Sequence, residues 1–441
     1  MVPMTFAQAQ ILTLDSCLSS ARQRNCTIRT AQLDVLVARE VKKQMLWKYF
    51  PQVSLEGAGY MAARPIIEAD VTELGNNEST TDFLKDAFGL LDELAKVEDS
   101  TAEVSSKIEM LKWGVTAQVR AVQPVFWGGQ IVNANRLAKL GIDAAQLKVE
   151  MSERDVLQEV AETYWLVAGL MEKRATVHKA NQLLDSISDV AQTAFHHGLV
   201  TRNDLLRVQL KQNEMQTKTL QLENGIQLAS RLLCVMVNIP YEQELVLEPI
   251  PEENIFSELA AEPESFTIAG RPETKLLDVN IRYNELMKKI SLGESLPHLA
   301  IGATGGYSNF FEKDRGNVIG FVSLSVPLTG WGETAHKLRM HNYQIQQAEL
   351  MQEHYREKLE LQNRQLYDQL IESLQLVHQS RTGQELAEEN YRVAMLNYKA
   401  GVVTMTELLE AEALLLQAEN AYTDARISLQ TAKRKFEEYN Q

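Results

Sequence analysis

The sequence predicts a mainly helical protein with a membrane β-barrel element: long antiparallel helical hairpins, and four strands per chain that several copies pool into one barrel. Three observations predict it. Two proline-free helical patterns each run about 68 residues, strands with two-residue alternation come in pairs ahead of each, and the whole arrangement repeats at a fixed spacing. At 1.5 Å per residue such a helix reaches roughly 100 Å, far more than a compact core needs.

Composition fits this and narrows the function. The 441 residues are 45% hydrophobic but only 7% aromatic, as suits alanine- and leucine-rich helices. A net charge of -15 disfavours nucleic acid and anionic membrane surfaces as partners. The cysteines Cys17, Cys26 and Cys234 form no CxxC pair, and no structural disulfide, metal site or cofactor is expected. No run of 18 apolar residues exists, which excludes a transmembrane helix and leaves a β-barrel span open. Walker, HExxH and GxSxG motifs are missing, so no catalytic residue is proposed and the protein is not read as an enzyme. His196 and His197 adjoin a turn, where neighbouring side chains point apart; they read as a solvated helix end.

Residues 1–10 read as the remnant of a secretory signal, with small residues at Ala7 and Ala9, in a sequence that starts at an internal methionine. A frayed terminus is the alternative. The first repeat spans 11–238. Its first helix opens at Thr13 or Asp15 and continues to Trp47, and Pro51 ends it. Val53, Leu55, Gly57 and Gly59 then alternate with polar residues, as do Val115, Ala117, Val119 and Ala121 with Thr116, Gln118 and Arg120. An arginine opposite a valine stripe suits a wet lumen. Between the strands lies an inserted loop, 61–113, with helix character from Thr81 to Val97. Pro124 to Gly129 turns the chain into a helix that ends at His197. Gly198-Leu199-Val200-Thr201 breaks it, and a shorter helix runs to about Val237.

The proline-rich, acidic segment 239–271 is an inter-repeat linker with one short strand at Leu245-Val246-Leu247. The second repeat, 272–441, follows: a helix from Glu273 to Leu292, strands at Leu299–Gly305 and Val318–Val326, then a helix from Trp331 to Lys399. After the break at Gly401-Val402-Val403-Thr404, the residues Leu408, Ala411, Leu415, Ala418, Tyr422, Ala425, Leu429 and Ala432 keep a coiled-coil rhythm. Pro124 and Pro327 lie 203 residues apart, as do Gly198 and Gly401, so the repeats stay in register through a whole long helix. Four strands cannot close a barrel and would leave two edges unpaired in lipid, hence several copies. Trp47, Trp113, Trp127 and Trp331 sit at strand ends, where membrane-interface aromatics belong.

The paired motifs Phe195-x-x-Gly198-Leu199-Val200-Thr201-x-x-Asp204 and Tyr398-x-x-Gly401-Val402-Val403-Thr404-x-x-Glu407, with Arg271-Pro272-Glu273 before the second half, resemble the TolC family of outer-membrane efflux and secretion channels. The resemblance implies a homotrimer with a barrel of about 12 strands in outer-membrane lipid and a periplasmic helical tunnel. It also implies an entrance at the two turns, where Gly198, Leu199, Val200, Gly401, Val402 and Val403 meet a periplasmic adaptor protein coupled to an inner-membrane transporter. It makes Glu407 and Glu410 a charged entrance ring and Asp204 and Tyr398 part of a closing latch. The family often has a basic residue where Val403 stands, so any latch here lacks its salt bridge. A solvated face for the two glutamates, and a pore-less coiled-coil scaffold for the protein, are the competing readings.

Overall fold

The structure is a computed structural model that describes residues 12–64, 67–70, 107–110, 113–198, 200–241, 245–251, 268, 270–310 and 313–440. The signal remnant, the Thr81–Val97 helix, Leu199 and much of the linker lie outside these residues. The elements in chain order are α1 (Leu14–Arg24), α2 (Cys26–Trp47), β1 (Gln52–Met61), β2 (Ile67–Asp70), β3 (Lys107–Met110) and β4 (Trp113–Trp127). They continue with α3 (Gln130–His196), α4 (Arg202–Val237), α5 (Pro272–Glu294), β5 (His298–Phe310), β6 (Lys313–Ser325), α6 (Trp331–Lys399) and α7 (Met405–Asn440). They fall into two compact units: one holds residues up to 40, 138–285 and from 343 onward, and the other holds 41–137 and 286–342.

In the second of these units β1, β4, β5 and β6 form an antiparallel sheet in that order. The β4–β5 pairing, with Ala121 opposite Ala303, joins strands from the two halves of the sequence. Val53 and Leu55 lie opposite Ala121 and Val119, and the same face continues across β5 to Val318 and Val322. These side chains are bare to the surroundings: Leu55 is 77% and Val318 81% exposed. The other face is polar. Gln118 Nε2 donates to Glu56 at 3.1 Å, and Arg120 lies over the Phe321 ring at 5.6 Å. Among the described residues β1 and β6 each pair on one side only.

One expectation changes here. β4 runs through Pro124 to Trp127 instead of ending before it, because β1 stops at the Gln52–Val122 pair and the β5 register shifts between Pro124 and Phe126. A proline, which has no N–H to give the ladder, is tolerated at such a place. The turn is then made by Gly128 and Gly129 at φ 59° and 75°, and a Cβ on Gly128 would strike the Gly293 carbonyl. Trp127 stacks on His298 at 4.6 Å, while Trp47, Trp113 and Trp331 are largely exposed.

The other unit is helical. The first helix is not continuous: Asn25 is extended (φ -62°, ψ 135°), and its side chain accepts the Thr27 N–H at 2.8 Å, so α2 starts afresh from an asparagine cap. Asn25 Nδ2 also donates to the Met236 carbonyl at 2.9 Å, tying the break to the end of α4. The strand expected at Leu245–Leu247 is a single parallel bridge from Leu247 to Leu12. Ile28, Val160, Tyr164 and Leu233 centre one core, and Leu184, Ile187, Val208, Met215 and Leu408 centre another. Arg271, almost fully buried, donates twice to the Tyr439 carbonyl (2.7 and 3.1 Å) and once to Asn363, with its guanidinium over the Tyr439 ring. The Arg271-Pro272-Glu273 motif therefore fastens the start of α5 to α6 and the end of α7, and Glu273 pairs with Arg154 of α3.

Candidate functional site: the paired helix turns

The two turns are built alike. Gly198 and Gly401 take φ 74° and 75°, a left-handed conformation that side chains resist, and their N–H groups donate to Phe195 and Tyr398 carbonyls at 2.9 Å. In the second turn Val402 N–H reaches back to Asn397 at 2.9 Å, completing a helix-end motif. Each following helix opens with a threonine and an acid three residues on. Thr201 donates its N–H (3.0 Å) and hydroxyl (2.7 Å) to Asp204, whose own N–H returns to Thr201 Oγ1 at 3.3 Å. Thr404 and Glu407 repeat the exchange at 2.7, 3.0 and 3.3 Å. These are capping boxes, and the Asp-for-Glu difference is absorbed by side-chain reach.

The acids at these positions thus have a local duty that the sequence motif alone did not separate from gating. Hydrogen bonds from the Thr404 N–H and then its hydroxyl hold the Glu407 carboxyl below the usual range. A lowered carboxyl supports the cap at neutral pH and loses that support as pH falls through its folded value. Replacing Thr404 by Ala is expected to destabilise the start of α7 by about 1 kcal/mol, read as faster amide exchange over 405–409 with the rest of the hairpin unchanged.

Glu410 is exposed one turn beyond Glu407, and helical spacing puts the two on one side of α7. Asp204 and Tyr398 line the same cleft between the turns, of about 870 Å³, together with His197 and Thr193. They make no hydrogen bond to each other within the chain: Asp204 is held by Thr201, and the buried Tyr398 hydroxyl has no partner among the described residues. Burial, then the Asp204 charge, pushes the Tyr398 hydroxyl up. At the tips, Val402 is 73% exposed while Val200 and Val403 are half-buried. A contact that sequence reading missed ties the two helix starts together, from the Arg207 guanidinium to the Thr406 hydroxyl. No repeat or motif marks it.

The profile of the family described as "Outer membrane efflux protein" matches residues 90–238 and 294–438, and both turns fall inside the matched segments. The chain belongs to this family. Membership places it among outer-membrane efflux proteins. The chain is 25% identical over 257 residues to the alkaline protease secretion protein AprF of Pseudomonas aeruginosa, a match covering 55% of this chain and 52% of AprF. The match thus spans about half the length of that relative. In fold, the outer-membrane channel OprN aligns with a TM-score of 0.74 at 12% identity, over 97% of this chain and 89% of OprN. The outer membrane protein VceC of Vibrio cholerae aligns at 0.69 and 15%, over 97% of this chain and 96% of VceC.

Proposed function

We propose that three copies of this chain form an outer-membrane export duct that takes cargo from an inner-membrane transporter through a periplasmic adaptor. The observation that carries the reading is the four-stranded sheet with an apolar outer face and an unpaired edge at either end. Such edges are unsatisfiable in lipid unless other copies continue the ladder. Exposed apolar positions on the helices, such as Leu210, Leu228 and Val235 of α4 and Leu386 of α6, support the same self-association. The chain divides as two repeats, 11–238 and 272–441, around the linker. Trp47, Trp113, Trp127 and Trp331 sit at the lipid boundaries.

The tips Gly198–Val200 and Gly401–Val403 receive the adaptor, and Glu407 and Glu410 line the entrance that Asp204 and Tyr398 help to close. No step of covalent chemistry is assigned, and the transporter sets the cargo. A pore-less coiled-coil scaffold has no use for strands that are apolar on one face and polar on the other. Purified protein is expected to migrate as a trimer in detergent and to open ion-conducting events in a planar bilayer. Monomers without conductance would overturn the proposal.

A further inference from the structure

α7 buries a carboxylate where its helical row calls for an apolar group. Leu408, Glu412 and Leu416 follow at intervals of four on one face, and the two leucines pack with Val208 and Met215 of α4. Glu412 is as closed off as they are, at 1% exposure. Neither of its carboxylate oxygens has a hydrogen-bond partner among the described residues, and neither does the buried hydroxyl of Tyr391, which α6 contributes to the same region. Gln209, the matching residue of the first hairpin, is exposed and uncharged, so the buried acid is not a by-product of the repeat.

The charged groups around Glu412 are Lys211, Lys218 and Glu214 on α4 and Glu419 on α7. Each of them already has an ion-pair partner. Lys211 and Lys218 hold Glu214 at 3.2 and 2.7 Å, and Lys179 of α3 holds Glu419 at 2.9 Å. A bare carboxylate at this place loses its hydration with no donor to replace it.

We propose that Glu412 is a proton-binding site inside the second hairpin: protonated, it lets α7 pack closely on α4, and losing the proton loosens that packing. Ionisation sets a charge against the apolar cluster and draws Lys211 from Glu214 toward Glu412, which shifts α4 against α7. Burial pushes the carboxyl up from the ordinary 4.5 to about 6, against the opposing pull of Lys211 and Lys218. A carboxyl raised on folding supports the packed state fully below its unfolded value, and that support is lost as pH rises through about 6. The inference rests on packing in the helical unit and holds whether or not the turns are an entrance.

Hydrogen exchange of the intact protein in detergent at pH 5 and pH 8, corrected for the chemical exchange rate, tests it. Wild-type protection over 405–420 is expected to be lower at pH 8, by up to about eightfold, the part of the proton-affinity ratio between about 6 and 4.5 that is lost from pH 5 to pH 8. Glu412→Gln, which keeps the shape without the charge, should remain at the pH 5 level at both values; Glu412→Leu serves equally if the amide variant does not fold. Equal wild-type protection at the two pH values overturns the proposal without any variant. So does a variant that follows the wild-type pH dependence.

Discussion

Export in cells carrying Leu199→Asp with Val402→Asp is expected to fall to the level of cells lacking the protein, while the trimer still assembles. Val402 is the most open apolar side chain of its turn, at 73% exposure, and belongs to none of the buried clusters. In the proposed duct this tip is the surface the adaptor covers. Covering an apolar side chain of this size contributes about 1.5–3 kcal/mol. Losing that and burying two carboxylates weakens the adaptor contact by at least about a hundredfold. The fold is untouched, because the left-handed glycines and the threonine caps that make the turn remain. Adaptor capture and export assays on the double variant measure both effects, and normal export would remove the tips from the proposed contact.

The second large effect is on ion permeation. If Glu407 and Glu410 from each copy converge at the entrance, the closed duct is narrow, cation-selective and blocked by divalent or trivalent cations from the helical side. Glu407→Gln with Glu410→Gln is expected to reduce the cation-to-anion permeability ratio by at least about tenfold and to abolish the blockade. The capping box makes this a clean test: glutamine at position 407 can still accept the Thr404 N–H, so charge is removed and the helix start is kept. Unchanged selectivity would put both acids on a solvated face, with Glu407 serving the cap alone.

What the sequence made legible depends on whether the cause of a feature is local. Gly198 and Gly401 announced the turns because a left-handed position admits few other residues, and their equal spacing from Pro124 and Pro327 carried the register along two helices. Strand alternation told which residues share a face. The ends were less readable: Pro124 looked like a terminator, and only the pairing of β4 with β5 shows why it can stay in the strand. Asn25 was hidden because its break depends on a bond to Met236, more than 200 residues away. Arg271 was visible as part of a motif, yet its partners Asn363 and Tyr439 come from distant helices. At the turns, a threonine followed by an acid reads equally well as a cap or as a gate, and the hydrogen bonds show that the cap is present. Glu412 escaped notice because it lies beside, not on, the seam of leucines and alanines.

The one-sided pairing of β1 and β6 has a consequence for how the protein is made. The helical unit has buried clusters of its own and can gain its structure in water. The sheet cannot: in water it would present an apolar face and two open edges, the template on which strands of other molecules aggregate. Its central pairing also waits on a long closure, since Val115 must find Asn309 across nearly half of the chain, and such closures form late. Biogenesis is therefore a race between membrane insertion and aggregation, with a yield that depends on chain concentration and on any holding factor that masks the strands in transit. Raising expression without raising insertion capacity should yield insoluble chains with largely formed helices.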